Sequence, residues 1–219
     1  INQFKNFFKN VQHMICIIDY ELGNKLSIKN ALSKAGFESL ISNSKDEIKS
    51  ADSLILPGVG SFNEGMDNLK KLDLIDILEE EVLGNKKKIL GICLGFQLMA
   101  NESSENGNTK GLGWINNSIE LLKVKDLKIP HVGWNNSKVI NKSKFIEQLN
   151  ADNLLYYNHS YAMRINNDEK FKIILGCEHE DSFISLGAKE NIIGIQPHPE
   201  KSQLNGIKFL KNCFGGFNA

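Results

Sequence analysis

Four short and almost wholly apolar runs constrain this chain more than any other feature: Ile15-Cys16-Ile17-Ile18, Ser53-Leu54-Ile55-Leu56, Lys88 to Ile92, and Ile192 to Gln196. A run without polar alternation needs both of its faces covered, which is the pattern of strands inside a parallel sheet. Helical signals separate these runs. Lys25 to Ala35 reads as a helix stopped by Gly36, Phe62 to Leu83 holds one or two helices, and Gln203 to Phe214 reads as a closing helix. Between Gly111 and Ala188 the signals change to shorter alternating strands with turns, including Ile173-Ile174-Leu175 and Phe183-Ile184-Ser185-Leu186. The expected fold class is α/β: a mostly parallel central sheet flanked by helices, with an added smaller antiparallel β region and right-handed crossovers. A chain of 219 residues can bury one substantial core, and no internal repeat or linker divides it. Residues 14–219 are therefore expected to form one domain, preceded by an extension at 1–13. In that extension Phe4, Phe7, Phe8 and Val11 recur at helical spacing, as in a short amphipathic helix, although a functionless upstream stretch fits equally.

Composition excludes several classes of function. Lys plus Arg and Asp plus Glu both number 26, and the two signs are interspersed, so no polyanion-binding surface and no nucleic-acid partner are implied. No apolar run approaches bilayer length, and no charged-then-apolar segment resembles a secretion signal. Cys16, Cys93, Cys177 and Cys213 show neither metal-site pairing nor a disulfide framework, so no metal is expected and a reducing cytoplasm fits.

One cysteine has a distinctive setting. Gly91-Ile92-Cys93-Leu94-Gly95 joins the strand run at Lys88 to the helix-like run Phe96-Gln97-Leu98-Met99. A nucleophile on a sharp strand-to-helix turn needs glycines on both sides, because a Cβ there would clash with the turning backbone. The helix that follows aims its N-terminal amides at the sulfur and favours the thiolate. A small buried core cysteine is the plainer alternative. Against it stands Gln196-Pro197-His198-Pro199-Glu200 at the other end of the chain. His198 follows an apolar run and sits between two prolines, which make the strand end rigid, as a general base requires. Glu200 can reach the same imidazole and hold its tautomer. Cys93, His198 and Glu200 thus have the composition of a nucleophile, its base and the orienter of that base.

Together these motifs resemble the class I glutamine amidotransferases. Leu56-Pro57-Gly58-Val59-Gly60 is similar to the family loop that supplies an oxyanion-hole amide. Within the family, Asp19-Tyr20, Gly23-Asn24, Ile129-Pro130-His131-Val132-Gly133-Trp134-Asn135, Asn158-His159-Ser160-Tyr161 and Pro199-Glu200-Lys201-Ser202 resemble the glutaminase subunits of imidazole glycerol phosphate synthase, from about Met14 onward. The resemblance implies Cys93, His198 and Glu200 as the catalytic triad and backbone amides near Val59 and at Leu94 as the oxyanion hole. It also implies Gly60, Gln97, Glu105, His159, Ser160 and Tyr161 as glutamine-binding residues. Gln97 follows Cys93 by one helical turn and so projects from the same face, whereas Glu105 lies in the polar, mobile-looking run Asn101 to Asn108.

The implied partner is a (β/α)₈-barrel cyclase in a heterodimer, met at Trp134, Tyr156 and Lys201, and no cofactor is implied. Two positions depart from the family pattern. Glu21 stands where the family has glycine, which puts the shape of the first loop in question, and Pro197 replaces a phenylalanine beside His198. They leave open a paralogous amidotransferase that feeds a sugar-modifying synthetase in surface polysaccharide assembly. A non-catalytic partner-binding subunit is the third reading, and Cys93, His198 and Glu200 together argue against it.

Overall fold

The computed structural model describes residues 13–149, 154–166 and 170–215. The helix expected over Phe4 to Val11 lies outside the described residues. The chain enters through β1 (Met14–Ile18) and α1 (Lys25–Ala35). Asn24 caps α1 by accepting from the Ser27 amide, and Gly36 ends it in the left-handed conformation at φ 91°. That backbone state carries little penalty without a Cβ. There follow β2 (Glu38–Ser42), α2 (Lys45–Ser50), β3 (Ser53–Leu56) and α3 (Phe62–Lys71). Asp73, at φ 53°, breaks the helical path after α3. The helical stretch expected over Phe62 to Leu83 is accordingly split into α3, α4 (Ile75–Glu79) and a π-helical turn, Glu80–Gly84.

Next come β4 (Lys88–Ile92), α5 (Leu94–Leu98), β5 (Ala100–Ser103), β6 (Thr109–Lys110), β7 (Ile115–Leu121) and β8 (His131–Val139). The remainder comprises β9 (Leu154–His159), β10 (Tyr161–Met163), β11 (Lys172–Glu178), β12 (Ser182–Lys189), β13 (Ile192–Ile195) and α6 (Gln203–Phe214). Between β13 and α6 a 3₁₀ turn spans Pro199–Lys201.

Nine strands form the main sheet in the order β2-β1-β3-β4-β13-β12-β11-β8-β9. The pairs from β2 to β13 are parallel, and those from β13 to β9 are antiparallel. The α/β fold is as expected, but most of the antiparallel strands extend the main sheet. The separate small sheet, β10-β7-β5-β6, is mixed, with β5 and β7 parallel.

The apolar runs divide between two cores. Cys16 and Ile18 of β1 pack with residues of α2, α3, α4 and α5, whereas Ile15 and Ile17 pack with α1 and α6. β3 and β4 split the same way, with Leu54, Leu56 and Ile89 on one side and Ile55, Leu90 and Ile92 on the other. Each buried aliphatic side chain contributes about 1.5–3 kcal/mol, so covering both faces is what holds the parallel strands together. Among the described residues no helix is long and apolar enough to cross a membrane.

Candidate active site

Parallel pairing brings the two ends of the chain to one place. β4 and β13 are in register, Ile92 beside Ile195, and the Cys93 amide donates to the Ile195 carbonyl at 2.8 Å. Both strands leave the sheet at the same edge, so Cys93 and Gln196 emerge side by side and His198 follows two residues later. β3 pairs with β4 through Leu56 and Gly91, which delivers Pro57 to Gly60 to that edge too. Sites of open α/β sheets lie at these carboxyl ends.

Cys93 turns the chain from β4 into α5 at φ 51°, ψ −108°, a strained backbone for a residue with a side chain. The neighbouring glycines are required by close approach. A Cβ on Gly95 would stand 1.9 Å from the Leu56 carbonyl oxygen, and one on Gly91 would stand 2.8 Å from the backbone of Phe96. Leu94 is the first residue of α5, where a backbone N–H has no acceptor within the helix.

His198 is held from several sides. Its amide donates to the Tyr156 carbonyl at 2.8 Å, and its own carbonyl accepts from the Ser202 hydroxyl at 2.7 Å. Ser202 in turn accepts from the Tyr156 amide at 3.0 Å, so the 3₁₀ turn is stapled to β9. The turn swings Glu200 back beneath the imidazole, with Glu200 Oε1 2.8 Å from His198 Nδ1 and both side chains buried. Nε2 is buried on the side of Cys93 and makes no hydrogen bond among the described residues. Burial works to lower the His198 pKa, but the adjacent Cys93 thiolate and then the Glu200 carboxylate outweigh it and hold the imidazole above its usual value. Burial raises the thiol pKa of Cys16, Cys177 and Cys213 and keeps those groups protonated.

A cavity of about 240 Å³ opens beside Cys93. Of the residues singled out in the sequence, Val59, Gly60, Cys93, Leu94, Gln97, Glu105, His159, Ser160, Tyr161 and His198 line it, and Glu200 stands behind His198. Glu105 is anchored, because its Oε2 accepts from the Phe62 amide at 2.9 Å and so caps α3. Gln97 Nε2 donates to the Tyr161 carbonyl at 2.7 Å, and His159 Nδ1 donates to that carbonyl at 3.0 Å. His159 Nε2 then accepts from His131 Nδ1 at 3.3 Å, and His131 Nε2 accepts from the Asn135 side chain at 3.2 Å. Burial lowers the pKa of His159 to about 3 and that of His131 to about 4, with neighbouring histidines adding to the shift.

Trp134, Tyr156 and Lys201 lie outside the cavity as one surface group. The two rings are 5.9 Å apart, the Lys201 ammonium stands 5.4 Å over Tyr156, and Trp134 is 43% exposed. Of the two departures, Glu21 adopts φ 70°, the left-handed state that glycine favours, and pairs with Lys71 at 3.1 Å. The first loop therefore keeps a glycine-like backbone. Pro197 is buried at the exit of β13. Three cavity neighbours carried no sequence assignment: Pro130, Asn158 and Gln196. The signal for Gln196 was its place two residues before His198.

A buried cysteine on a glycine-flanked elbow, beside a carboxylate-held histidine at the carboxyl edge of such a sheet, has the parts of a nucleophile and its base. Residues 16–216 match the family described as glutamine amidotransferase class-I, and the chain belongs to it. Within that family it is 48% identical over 200 residues to imidazole glycerol phosphate synthase subunit HisH 2 of Methanococcus maripaludis, covering 91% of this chain and 98% of the relative. Its identity to the subunit of the same name from Vibrio vulnificus is 42% over 200 residues, covering 90% and 92%. A structure of PurLQS from Thermotoga maritima superposes with a TM-score of 0.70 at 18% identity, covering 92% of this chain and 97% of that one, which speaks for the fold.

Proposed function

We propose that this chain is the glutaminase subunit of an imidazole glycerol phosphate synthase. It hydrolyses L-glutamine to glutamate and ammonia and delivers the ammonia to a (β/α)₈-barrel cyclase subunit in the cytoplasm. The observation that carries the chemistry is the pairing of Cys93, on its strained turn, with a His198 held at 2.8 Å by the buried Glu200.

The Cys93 thiolate attacks the side-chain amide carbon of glutamine, and the electron pair of the carbonyl moves onto oxygen. Backbone amides near Val59 and at Leu94 stabilise that oxyanion, typically the largest electrostatic contribution in such reactions. His198 gives its Nε2 proton to the departing nitrogen and ammonia leaves. Water, deprotonated by the now neutral His198 Nε2, then attacks the γ-glutamyl thioester, and glutamate is released as the thiolate reforms. Glu200 keeps the Nδ1 proton in place throughout. Gly60, Gln97, Glu105 and the His159-Ser160-Tyr161 segment hold the substrate. Ammonia has to reach its acceptor without meeting bulk water, which would protonate it, so a partner is needed over the exposed Trp134 and Lys201 and the half-buried Tyr156 between them. Within such a synthase the ammonia forms imidazole glycerol phosphate and an aminoimidazole carboxamide ribotide, in histidine biosynthesis.

The test is genetic. Co-expressed with its cyclase subunit, this chain should restore growth without histidine to a strain lacking both subunits, and Cys93→Ala should not. Failure of rescue by a chain that still hydrolyses glutamine would favour the paralogous, sugar-directed amidotransferase instead.

A further inference from the structure

The Cys93 sulfur has a further polar neighbour that neither the motif logic nor the triad accounts for. Gln196 is fully buried, and its side-chain nitrogen lies 3.6 Å from Sγ. The orientation of this amide follows from its neighbours. The Tyr161 carbonyl can only accept, so the Gln97 atom 2.7 Å from it is the amide nitrogen. That same nitrogen stands 3.1 Å from the Gln196 side chain, which must therefore present its oxygen to Gln97. The Gln196 nitrogen is left pointing at the sulfur. The backbone fixes the rest, since the Gln196 amide donates to the Ser185 carbonyl at 2.8 Å and the preceding Ile195 carbonyl binds the Cys93 amide.

We propose that Gln196 is a positioning residue for the nucleophile: its amide donates to the Cys93 sulfur, favours and orients the thiolate, and ties it through Gln97 to the substrate-facing wall. A donor at sulfur stabilises the anion over the thiol, and this donor is itself fully buried beside the sulfur. The Asn158 carbonyl, 4.0 Å from Sγ, acts in the opposite sense, because it can accept only from the protonated thiol. The two contacts thus bracket the sulfur, with a donor on one side and an acceptor on the other. After thioester hydrolysis the same Gln196 N–H receives the returning thiolate. The inference rests on Cys93 being the nucleophile.

Two substitutions separate the donor from simple packing. Gln196→Met keeps the volume and removes both polar groups, whereas Gln196→Glu keeps the acceptor for Gln97 and replaces the donor by an oxygen. The full-length chain is treated with iodoacetamide across pH 5–10, with Cys93 modification followed by mass spectrometry. Glutamine hydrolysis is measured beside it in the presence of the cyclase subunit. In Gln196→Met the midpoint of the alkylation profile should move up by about one pH unit, with kcat down about tenfold and KM within about threefold. Gln196→Glu should move the midpoint further, since it sets a carboxylate beside the sulfur. An unmoved midpoint in both folded variants overturns the proposal, and so does a Gln196→Glu enzyme of wild-type rate. Cys93→Ala is run in parallel: if it hydrolyses glutamine normally, the nucleophile reading itself fails, independently of Gln196.

Discussion

His198 stands where the parallel half of the main sheet ends and His159 where the antiparallel half does, and the two rings form two walls of one cavity. Burial disfavours the charged form of both. Their neighbours differ. His198 meets the Cys93 thiolate and the Glu200 carboxylate, which raise its pKa against the cost of burial. His159 meets the His131 ring, the Tyr161 carbonyl and the edge of Phe183 at 4.8 Å, and it remains neutral with a pKa of about 3 set first by burial. His198 also pushes the His159 pKa down, a smaller cause after burial and the His131 ring. Protonation in this site is decided by which groups stand next to a ring, since residue type and burial are shared.

The comparison breaks most completely at Cys93. Cys93→Ala removes the group that does most to raise the His198 pKa and, with it, the proposed nucleophile. Glutamine hydrolysis should fall by several orders of magnitude, while the partner's ammonium-dependent reaction continues. Loss of both activities in the assembled synthase would instead give Cys93 a structural role.

Glu200 is the next test. Glu200→Gln retains a hydrogen-bond acceptor for Nδ1 but stabilises the imidazolium less, so the two walls become more alike. Turnover should drop roughly ten- to a thousandfold, about 1.4–4 kcal/mol of barrier, with glutamine KM little changed. Unaltered turnover in the coupled assay would reduce the triad to Cys93 and His198.

The smallest effect concerns stability, where the walls have opposite signs. Folding holds His159 and His131 neutral, with pKa values of about 3 and about 4, whereas an unfolded chain protonates histidine near 6.5. Protons bind preferentially to the unfolded chain, so this contribution is complete above pH 6.5 and is lost as pH falls toward 4 and then 3. His198 contributes fully below pH 6.5 and loses its contribution only as pH rises through its elevated folded value. Thermal melts should therefore show Tm falling from pH 7 to pH 5. In His131→Gln, which can still donate to His159, that fall should be shallower by a few degrees. An equal slope in the two proteins would mean that this histidine pair does not govern acid sensitivity.

Much of the fold and of the site is legible in the order of residues. The runs at Ile15, Ser53, Lys88 and Ile192 can be assigned to buried parallel strands because covering both faces of a strand demands uninterrupted apolar side chains. Gly36 marks the end of α1 for an equally local reason. The strand β2 and the helix α2 are harder to read, since Glu38 to Ser50 is mostly polar and short, and only packing of Leu40 and Ile48 onto the core gives it form. Glu105 shows the same limit. Its run looks like a mobile loop, yet it caps a helix that begins 43 residues earlier.

The sequence by itself determined the kinds of group available and their local settings: a cysteine between glycines, a histidine between prolines with an acid two residues on, and strands that bury both faces. These are properties of adjacent residues, and steric and dihedral constraints act at that range. Tertiary structure alone decided that Cys93 and Gln196 emerge side by side, because this follows from the register of β4 with β13 across about a hundred residues of chain. It also decided the direction of the proton between His131 and His159, since β9 brings the acceptor ring to a donor ring on β8. Charge at a buried group depends on what lies within a few ångströms, and a folded chain assembles that neighbourhood from distant segments.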